Sequence, residues 1–271
     1  MTFNIIVAKK RFVPAHNDVV LLVLACVLGG LGQLFFLAFV LCGPFGWIDL
    51  GDHLDEKNRL VLDCILSFCF FLQHSGMVRK TFKEQLSRRW KVPTPYHCAI
   101  YTTASGAVLI LQTVLWQASS SQPFVSVQGV PRLLLRAVFV ASVALTVWMM
   151  RSLNSSDFLG IKPFVLDYIR GGEEEVSKVF AGNNKLVICG AFQYVRHPGY
   201  LACIGMIWSF PDVTADRLLF NTIWTCWIIV GTCFEERDLI EHFGDDYKRY
   251  QTRVPMLVPN PCAAFTRVKN E

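Results

Sequence analysis

Residues 193–250 of this 271-residue chain decide its fold and read QYVRHPGYLACIGMIWSFPDVTADRLLFNTIWTCWIIVGTCFEERDLIEHFGDDYKRY. Two apolar segments, residues 199–210 and 218–234, are joined by a short polar turn. If both segments are helices, they form an antiparallel hairpin whose charged flanks meet at one end. The flanking side chains are Arg196, His197, Glu235 and Glu236. We therefore predict that a cation, an imidazole and two carboxylates meet at one membrane face.

The composition is that of a membrane protein. Hydrophobic residues make up 53% of the chain and charged residues only 17%, which is a low charged fraction for a soluble domain. Besides the two arms of the hairpin, apolar blocks lie at residues 19–41, 60–72, 98–116 and 133–150. The shorter blocks need flanking residues to reach the roughly 20 residues that span a bilayer. We predict an all-α integral membrane protein with about six transmembrane helices and a C-terminal helical hairpin that forms a cytoplasm-facing site.

The charge of the loops predicts the orientation. Residues 79–91 and 151–196 each carry six basic residues, whereas residues 117–131 carry no charge. Basic loops tend to stay in the cytoplasm, so both termini are expected there. A single membrane domain, residues 1–271, then divides into five parts. These are a cytoplasmic N-terminus (1–17), four transmembrane helices (18–150), a cytoplasmic segment (151–195), the hairpin (196–250) and a cytoplasmic tail (251–271).

Two charged residues, Asp63 and Arg136, fall inside the apolar blocks. A charge within a membrane helix faces the bundle interior, or reaches the headgroup region if it lies near a helix end. We expect one of these two placements for both side chains.

The sequence Arg196-His197-Pro198 predicts a helix start. Proline is tolerated in the first turn because the N–H that it lacks would be unpaired there. The free N–H groups and the dipole of a helix N-terminus favour an anion, and arginine adds a bidentate grip for carboxylate or phosphate. The alternative is a basic topology anchor ahead of a proline-started helix.

Glu235 and Glu236 require a partner, because the C-terminal end of a helix disfavours negative charge. Arg196 is one candidate, and the ammonium group of a ligand is another. A site with both signs of charge suits a zwitterionic amino-acid group such as the methionine moiety of S-adenosylmethionine. The alternative is a structural salt-bridge cluster with Arg237, Lys248 and Arg249.

A longer pattern resembles the membrane methyltransferases, which include isoprenylcysteine carboxyl methyltransferase, phospholipid methyltransferases and methanethiol S-methyltransferase. The pattern is R-H-P-x-Y, then an apolar hairpin, E-E-x-x-L and Y-x-x-Y-x-x-x-V-P. The matching residues are Arg196, His197, Pro198, Tyr200, Glu235, Glu236, Leu239, Tyr247, Tyr250, Val254 and Pro255. Together these residues extend over more than fifty positions, which makes the resemblance specific.

Further motifs are similar to one branch of this family, which contains methanethiol S-methyltransferase and nurim. They are Gln73-His74-Ser75, the segment DFLGIK at residues 157–162, and the turn that ends at Asp216-Arg217. The resemblance implies that S-adenosyl-L-methionine binds at the cytoplasmic face, held by Arg196, His197, Tyr200, Glu235 and Glu236. It also implies that a small thiol or lipophilic acceptor enters from the membrane side.

The acceptor half of the site is predicted at His74 and Asp157. A thiol has an unperturbed pKa of about 8.5 and is mostly protonated at neutral pH. A neighbouring base that removes the proton therefore aids methyl transfer to the sulfur. His74, at the cytoplasmic end of its helix, is our candidate base, and Asp157 could orient a histidine or line the acceptor pocket. The alternatives are a histidine that hydrogen-bonds between helices and an aspartate that caps a loop.

Three functions remain open from the sequence. The first is S-adenosylmethionine-dependent methylation of a small or lipid-soluble thiol. The second is a nurim-like membrane protein of the nuclear envelope or endoplasmic reticulum without turnover. The third is methylation of an isoprenylcysteine carboxylate or a phospholipid.

The partners and location follow from the same reasoning. We expect membrane lipid as a partner and no nucleic acid, since no basic stripe or reading motif is present. No Cys-x-x-Cys pair occurs, and we predict no metal site; the oligomeric state stays open. The location expected is the endoplasmic reticulum or inner nuclear membrane in a eukaryote, or the cytoplasmic membrane in a bacterium.

Overall fold

The computed structural model describes residues 16–50, 53–94, 96–119, 122–153 and 186–259. Two-residue strands β1 (Val125–Ser126) and β2 (Asp212–Val213) pair antiparallel, and a 3₁₀ helix covers Gly190–Gln193. The α-helices are α1 (His16–Cys42), α2 (Glu56–Val78), α3 (Lys80–Arg89), α4 (Tyr96–Leu115), α5 (Gly129–Ser152), α6 (Pro198–Trp208), α7 (Ala215–Phe243) and α8 (Asp245–Arg253). The protein is therefore an all-α membrane protein, as predicted.

Five of these helices are long and apolar enough to cross a membrane, namely α1, α2, α4, α5 and α7. The helix in the first arm of the predicted hairpin, α6, is also apolar but has only 11 residues. At a rise of 1.5 Å per residue it is about 16 Å long, roughly half the thickness of a bilayer core. Six crossings therefore stay a prediction.

Several helices extend well beyond their apolar blocks. The block at 60–72 lies within a helix that starts after Asp55, whose side chain accepts a hydrogen bond from Asn58 N at 2.9 Å. In α7 the helix continues past both glutamates to Phe243, so they lie within the helix and not at its C-terminal end, where the sequence placed them. The helix stops at Gly244, which has φ 59°, a backbone conformation that favours glycine at helix ends.

Two polar helices were not predicted. Residues 79–91 contain α3 and not the predicted loop, and the segment that carries Tyr247 and Tyr250 forms α8. Both helices are amphipathic and contain few apolar residues. Long apolar blocks, which predict membrane helices, therefore give no signal for them. They lie next to the ends of α2 and α7.

Aromatic stacking holds α2 against α7. The rings of Phe70 and Trp224 are parallel with centroids 5.1 Å apart, and those of Phe71 and Trp227 are 4.5 Å apart. Such pairs contribute about 0.5–1.5 kcal/mol each beyond the area that they bury. This packing fixes the two helices that line the site described below.

A glycine pair sets the crossing of α1 and α4. A Cβ placed on Gly32 would lie 2.5 Å from Gly106 Cα, and one on Gly106 would collide with the carbonyl of Leu28. Small residues at such a crossing let two helix backbones approach closely within a membrane.

The charged residues inside the blocks are placed as expected. Asp63 is fully buried and accepts a hydrogen bond from Gln117 N at 2.9 Å. Arg136 is half-buried and donates to the carbonyl of Leu41 at the end of α1. The interior placement is therefore confirmed for Asp63, and Arg136 binds within the bundle.

Candidate functional site

The Arg196-His197-Pro198 sequence begins α6, as predicted. His197 is the N-cap residue and Pro198 occupies the first turn. The backbone N–H groups of Arg196 and His197 donate to the carbonyls of Pro255 and Met256, at 2.9 and 3.1 Å. The C-terminal tail is thus hydrogen-bonded along the start of α6, and these two N–H groups are already occupied.

A single carboxylate, that of Glu236, organises the neighbourhood. Arg196 donates to it twice, from Nε to Oε1 at 2.9 Å and from Nη2 to Oε2 at 2.8 Å. His197 Nε2 lies 2.6 Å from Oε1, Tyr247 Oη donates to Oε1 at 2.7 Å, and Gln251 Nε2 binds Oε2. We call these five side chains the Glu236 network.

The network is closed and largely dry. The side chains of Arg196 and Glu236 are each only 9% exposed, and the remaining guanidinium nitrogen donates to the carbonyls of Gln251 and Val254. Burial, and then the hydrogen bond to Glu236, raise the pKa of the Tyr247 hydroxyl above its usual range. The network therefore links α6, α7, α8 and the tail.

The predicted partner Arg196 is confirmed for Glu236, whereas the alternative cluster is wrong. Lys248 pairs with Asp245 at 3.0 Å and Arg249 with Asp246, within the same helix. The guanidinium of Arg237 lies over the ring of Phe234. None of these cations reaches the adjacent glutamates among the contacts of the described residues.

The neighbouring Glu235 is different, because its side chain is 45% exposed. One oxygen accepts a hydrogen bond from Tyr200 Oη at 2.6 Å, and His197 Nδ1 lies 4.0 Å away. The ring of His197 also stacks on Tyr200 with centroids 5.6 Å apart. Glu235 therefore offers a positioned carboxylate that is still accessible.

Both Glu235 and Tyr200 open into a cleft of about 980 Å³ between α2, α3, α4, α6 and α7. The residues that line it are His74, Ser75, Val78, Arg79, Lys80, Thr81, Lys83, Tyr101, Tyr200, Trp227, Ile228, Gly231, Phe234, Glu235, Asp238, Glu241 and His242. The cleft thus brings the predicted acceptor residue His74 together with two of the predicted cofactor residues.

His74 has a defined partner in the cleft. The hydroxyl of Tyr101 lies 2.8 Å from Nδ1 and 3.1 Å from Nε2 of the imidazole. The hydroxyl is thus within hydrogen-bond distance of both ring nitrogens, and the tautomer of His74 decides which nitrogen donates or accepts. The ring also packs against Phe70, Tyr101 and Trp227 at centroid distances of 5.1, 5.3 and 5.2 Å.

The residues that the sequence predicted for the site lie in different places in the structure. His74, Tyr200 and Glu235 line the cleft, whereas Arg196, His197 and Glu236 lie beside it in the network. Asp157 lies outside the described residues. Tyr101, Trp227 and Gly231 were not singled out, because nothing in their local sequence indicates that long-range packing brings them to the cleft.

Within the described ranges no group of three histidine, cysteine or acidic residues could hold a metal ion. The cleft is a mixed polar and apolar site lined by three carboxylates, those of Glu235, Asp238 and Glu241.

Comparison with known proteins gives a consistent set of relatives. Methanethiol S-methyltransferase from Pseudomonas deceptionensis is 31% identical over 215 residues, which cover 79% of this chain and 78% of that protein. Nurim from Rattus norvegicus is 23% identical over 200 residues, or 72% of this chain and 73% of nurim. Protein-S-isoprenylcysteine O-methyltransferase from Schizosaccharomyces pombe is 29% identical over 99 residues, or 34% and 41% of the two chains. No family model and no solved structure matches this chain.

Proposed function

This chain belongs to the family of membrane methyltransferases that contains methanethiol S-methyltransferase, and we propose that it transfers a methyl group from S-adenosylmethionine to a small or lipid-soluble thiol. The observation that carries the proposal is the cleft, where Glu235, Tyr200 and His74 face the same space. The several methanethiol S-methyltransferases among the relatives are more similar to this chain than nurim is. That difference favours the enzyme over the nurim-like alternative.

The cleft fits such a pair of reactants in size and chemistry. Ligand sites usually measure about 300–1,000 Å³ and combine apolar walls with a few placed polar groups. A volume of about 980 Å³ leaves room for a nucleoside-sized donor and a small acceptor together. The exposed Glu235 carboxylate, oriented by Tyr200, suits an ammonium group, and Arg79, Lys80 and Lys83 supply cations at the rim.

The Glu236 network takes a supporting role in this proposal. Because Arg196 and Glu236 bind each other, they hold the start of α6, α7 and the tail in register around the cleft. His197 connects both glutamates, with Nε2 on Glu236 and Nδ1 facing Glu235. That these three residues also contact the cofactor directly stays a prediction.

Bound S-adenosylmethionine would supply an electrophilic methyl group, whose bond to the sulfonium sulfur breaks as the acceptor sulfur bonds to the carbon, leaving S-adenosylhomocysteine, a methyl thioether and one proton. His74 takes that proton, and the Tyr101 hydroxyl holds the ring and bonds the nitrogen that is not in use. The rings of Phe70 and Trp227 pack against the His74 ring and make this part of the cleft apolar. Charge is neutralised when a thiolate attacks a sulfonium, so a dry site that aligns the reactants speeds the step.

The first test is binding of S-adenosylhomocysteine to the purified protein, measured by calorimetry. We expect binding to wild-type protein and a clear loss of affinity in Glu235→Ala. The control is Asp245→Asn, which removes an exposed carboxylate outside the cleft that pairs only with Lys248 among the described ion pairs. Absence of binding, or equal binding by Glu235→Ala and wild type, would refute the proposal.

The second test separates the enzyme from the nurim-like alternative. Membranes that contain the protein are incubated with methyl-labelled S-adenosylmethionine and a panel of thiols, prenylcysteines and phospholipids. Label in a thioether supports the proposal. Label only in a methyl ester or a lipid headgroup supports the third function, and no label in any product favours a protein without turnover.

We also propose that the cleft faces the cytoplasm, with the residues 196–250 hairpin and the tail on that side. The basic residues of α3, which border the cleft, support this orientation. Single cysteines introduced at Lys83 and at Asp212 test this orientation. Their accessibility to a membrane-impermeant thiol reagent is measured from each side of the membrane. The endoplasmic reticulum, inner nuclear membrane or bacterial cytoplasmic membrane stays the expected location.

A further inference from the structure

The cleft changes character along its length, and α7 provides the scale. Cleft-lining residues on this helix run from Trp227 to His242, which at 1.5 Å per residue is about 22 Å. Towards the helix end the lining is charged, with Glu235, Asp238 and Glu241. Towards the bundle interior it is apolar, with Trp227 and Ile228. A ligand with one polar and one apolar part therefore has only one favourable orientation.

The polar side chains at the apolar end are His74, Tyr101 and Ser75, and aromatic rings pack around His74. The indole N–H of Trp227 is occupied, because it donates to Ser75 Oγ at 3.2 Å. This end can therefore accept an apolar group that carries a single ionisable atom. A small alkyl thiol has that composition.

Gly231 lies one helical turn after Trp227 and one turn before Glu235, on the same face of α7. It lines the cleft, and a Cβ placed on it would have no heavy atom within 4 Å. The missing side chain thus leaves free volume at the junction of the apolar and charged ends. Its helical backbone needs no glycine, so the conformation does not account for the residue.

We propose that the apolar end of the cleft is the acceptor subsite and that Gly231 determines the size of the thiol it accepts. The inference rests on the proposed thiol methylation and adds the location and the size limit of the acceptor. A side chain at position 231 takes up part of this free volume between the apolar and charged ends of the cleft. It excludes longer alkyl chains while the Glu235 end of the cleft stays open.

The test uses the full-length protein with Gly231→Ala and Gly231→Leu. Gly76→Ala and Gly76→Leu are matched controls, because Gly76 also has no heavy atom within 4 Å of an added Cβ and does not line the cleft. Initial rates with S-adenosylmethionine give kcat/KM for methanethiol and for 1-butanethiol. Calorimetry gives the affinity for S-adenosylhomocysteine.

We expect Gly231→Leu to lower kcat/KM for butanethiol relative to methanethiol by about tenfold or more, because its added carbons take up free volume that a longer alkyl chain needs. Gly231→Ala should shift the ratio in the same direction by less, since its single methyl group meets no heavy atom within 4 Å, and all four variants should bind S-adenosylhomocysteine like wild type. An unchanged thiol ratio in Gly231→Leu, or a loss of S-adenosylhomocysteine affinity with no change in that ratio, would overturn the inference. If wild type binds S-adenosylhomocysteine but methylates no thiol, the proposed function fails first, and the subsite with it.

Discussion

Replacement of Glu236 by alanine isolates the role of the Glu236 network. The carboxylate accepts hydrogen bonds from Arg196, Tyr247 and Gln251 and contacts His197. The Arg196 side chain is only 9% exposed, so removal of the Glu236 carboxylate leaves a buried guanidinium without its anion. Breaking one partner of a buried ion pair costs about 3–5 kcal/mol.

The neighbouring Glu235 supplies the control, because it lies on the same helical turn but its side chain is 45% exposed. Glu235→Ala removes one half-exposed hydrogen bond, that from Tyr200 Oη, and should cost about 1 kcal/mol. Thermal unfolding in detergent, followed by tryptophan fluorescence, should therefore show a Tm lowered on the order of 10 °C for Glu236→Ala and much less for Glu235→Ala.

A double-variant cycle measures the coupling between Arg196 and Glu236. Arg196→Ala/Glu236→Ala removes both charges, so it should lose clearly less stability than the sum of the two single variants. The stabilising role of the Glu236 network is refuted if Glu236→Ala and Glu235→Ala unfold at the same temperature. It is also refuted if the stability losses of Arg196→Ala and Glu236→Ala add up to that of the double variant.

Three further predictions concern other parts of the fold. Gly106→Ala inserts a methyl group against the carbonyl of Leu28 and should cost about 1–3 kcal/mol, whereas Gly30→Ala, with nothing within 4 Å of its added Cβ, should unfold like wild type. Tyr247→Phe removes a hydrogen bond to a charged group and should lower the stability by about 1.5–3 kcal/mol, with Tyr194→Phe as the control. Burial opposes ionisation of Asp212, but hydrogen bonds from Ser126 and Arg132 hold its pKa below its usual range. This carboxylate therefore stabilises the fold above the unfolded-state pKa of about 3.9, and the contribution is lost as the pH falls through the lower folded-state pKa. The stability difference between wild type and Arg132→Gln should accordingly shrink as the pH is lowered below about 4, and a difference independent of pH contradicts the assignment.

The sequence was sufficient for the parts of the fold that depend on local pattern. Long apolar blocks predicted the membrane helices, and Pro198 predicted the start of α6. The interior position of Asp63 followed from the cost of a charge in lipid. These predictions succeed because each depends on solvation or backbone geometry within a few residues.

Features that depend on packing between distant segments could not be predicted. The continuation of α7 past Glu235 follows from contacts of its polar turns with α8 and the tail, which hydropathy does not reveal. Arg196 was one of two possible partners for the glutamates, and only the folded chain assigns it to Glu236 alone. The pairing of His74 with Tyr101 joins residues on separate helices and leaves no local signal.

Methyl transfer from S-adenosylmethionine to a thiol is tested most simply by an assay on the purified protein in lipid nanodiscs. Methyl-labelled S-adenosylmethionine and methanethiol are supplied, and labelled dimethyl sulfide is measured for wild type, His74→Ala and Gly76→Ala. We expect product from wild type and Gly76→Ala and a strong loss of rate for His74→Ala, which should still bind S-adenosylhomocysteine. No labelled thioether from wild type with methanethiol or any other thiol, despite a folded protein, would contradict this expectation.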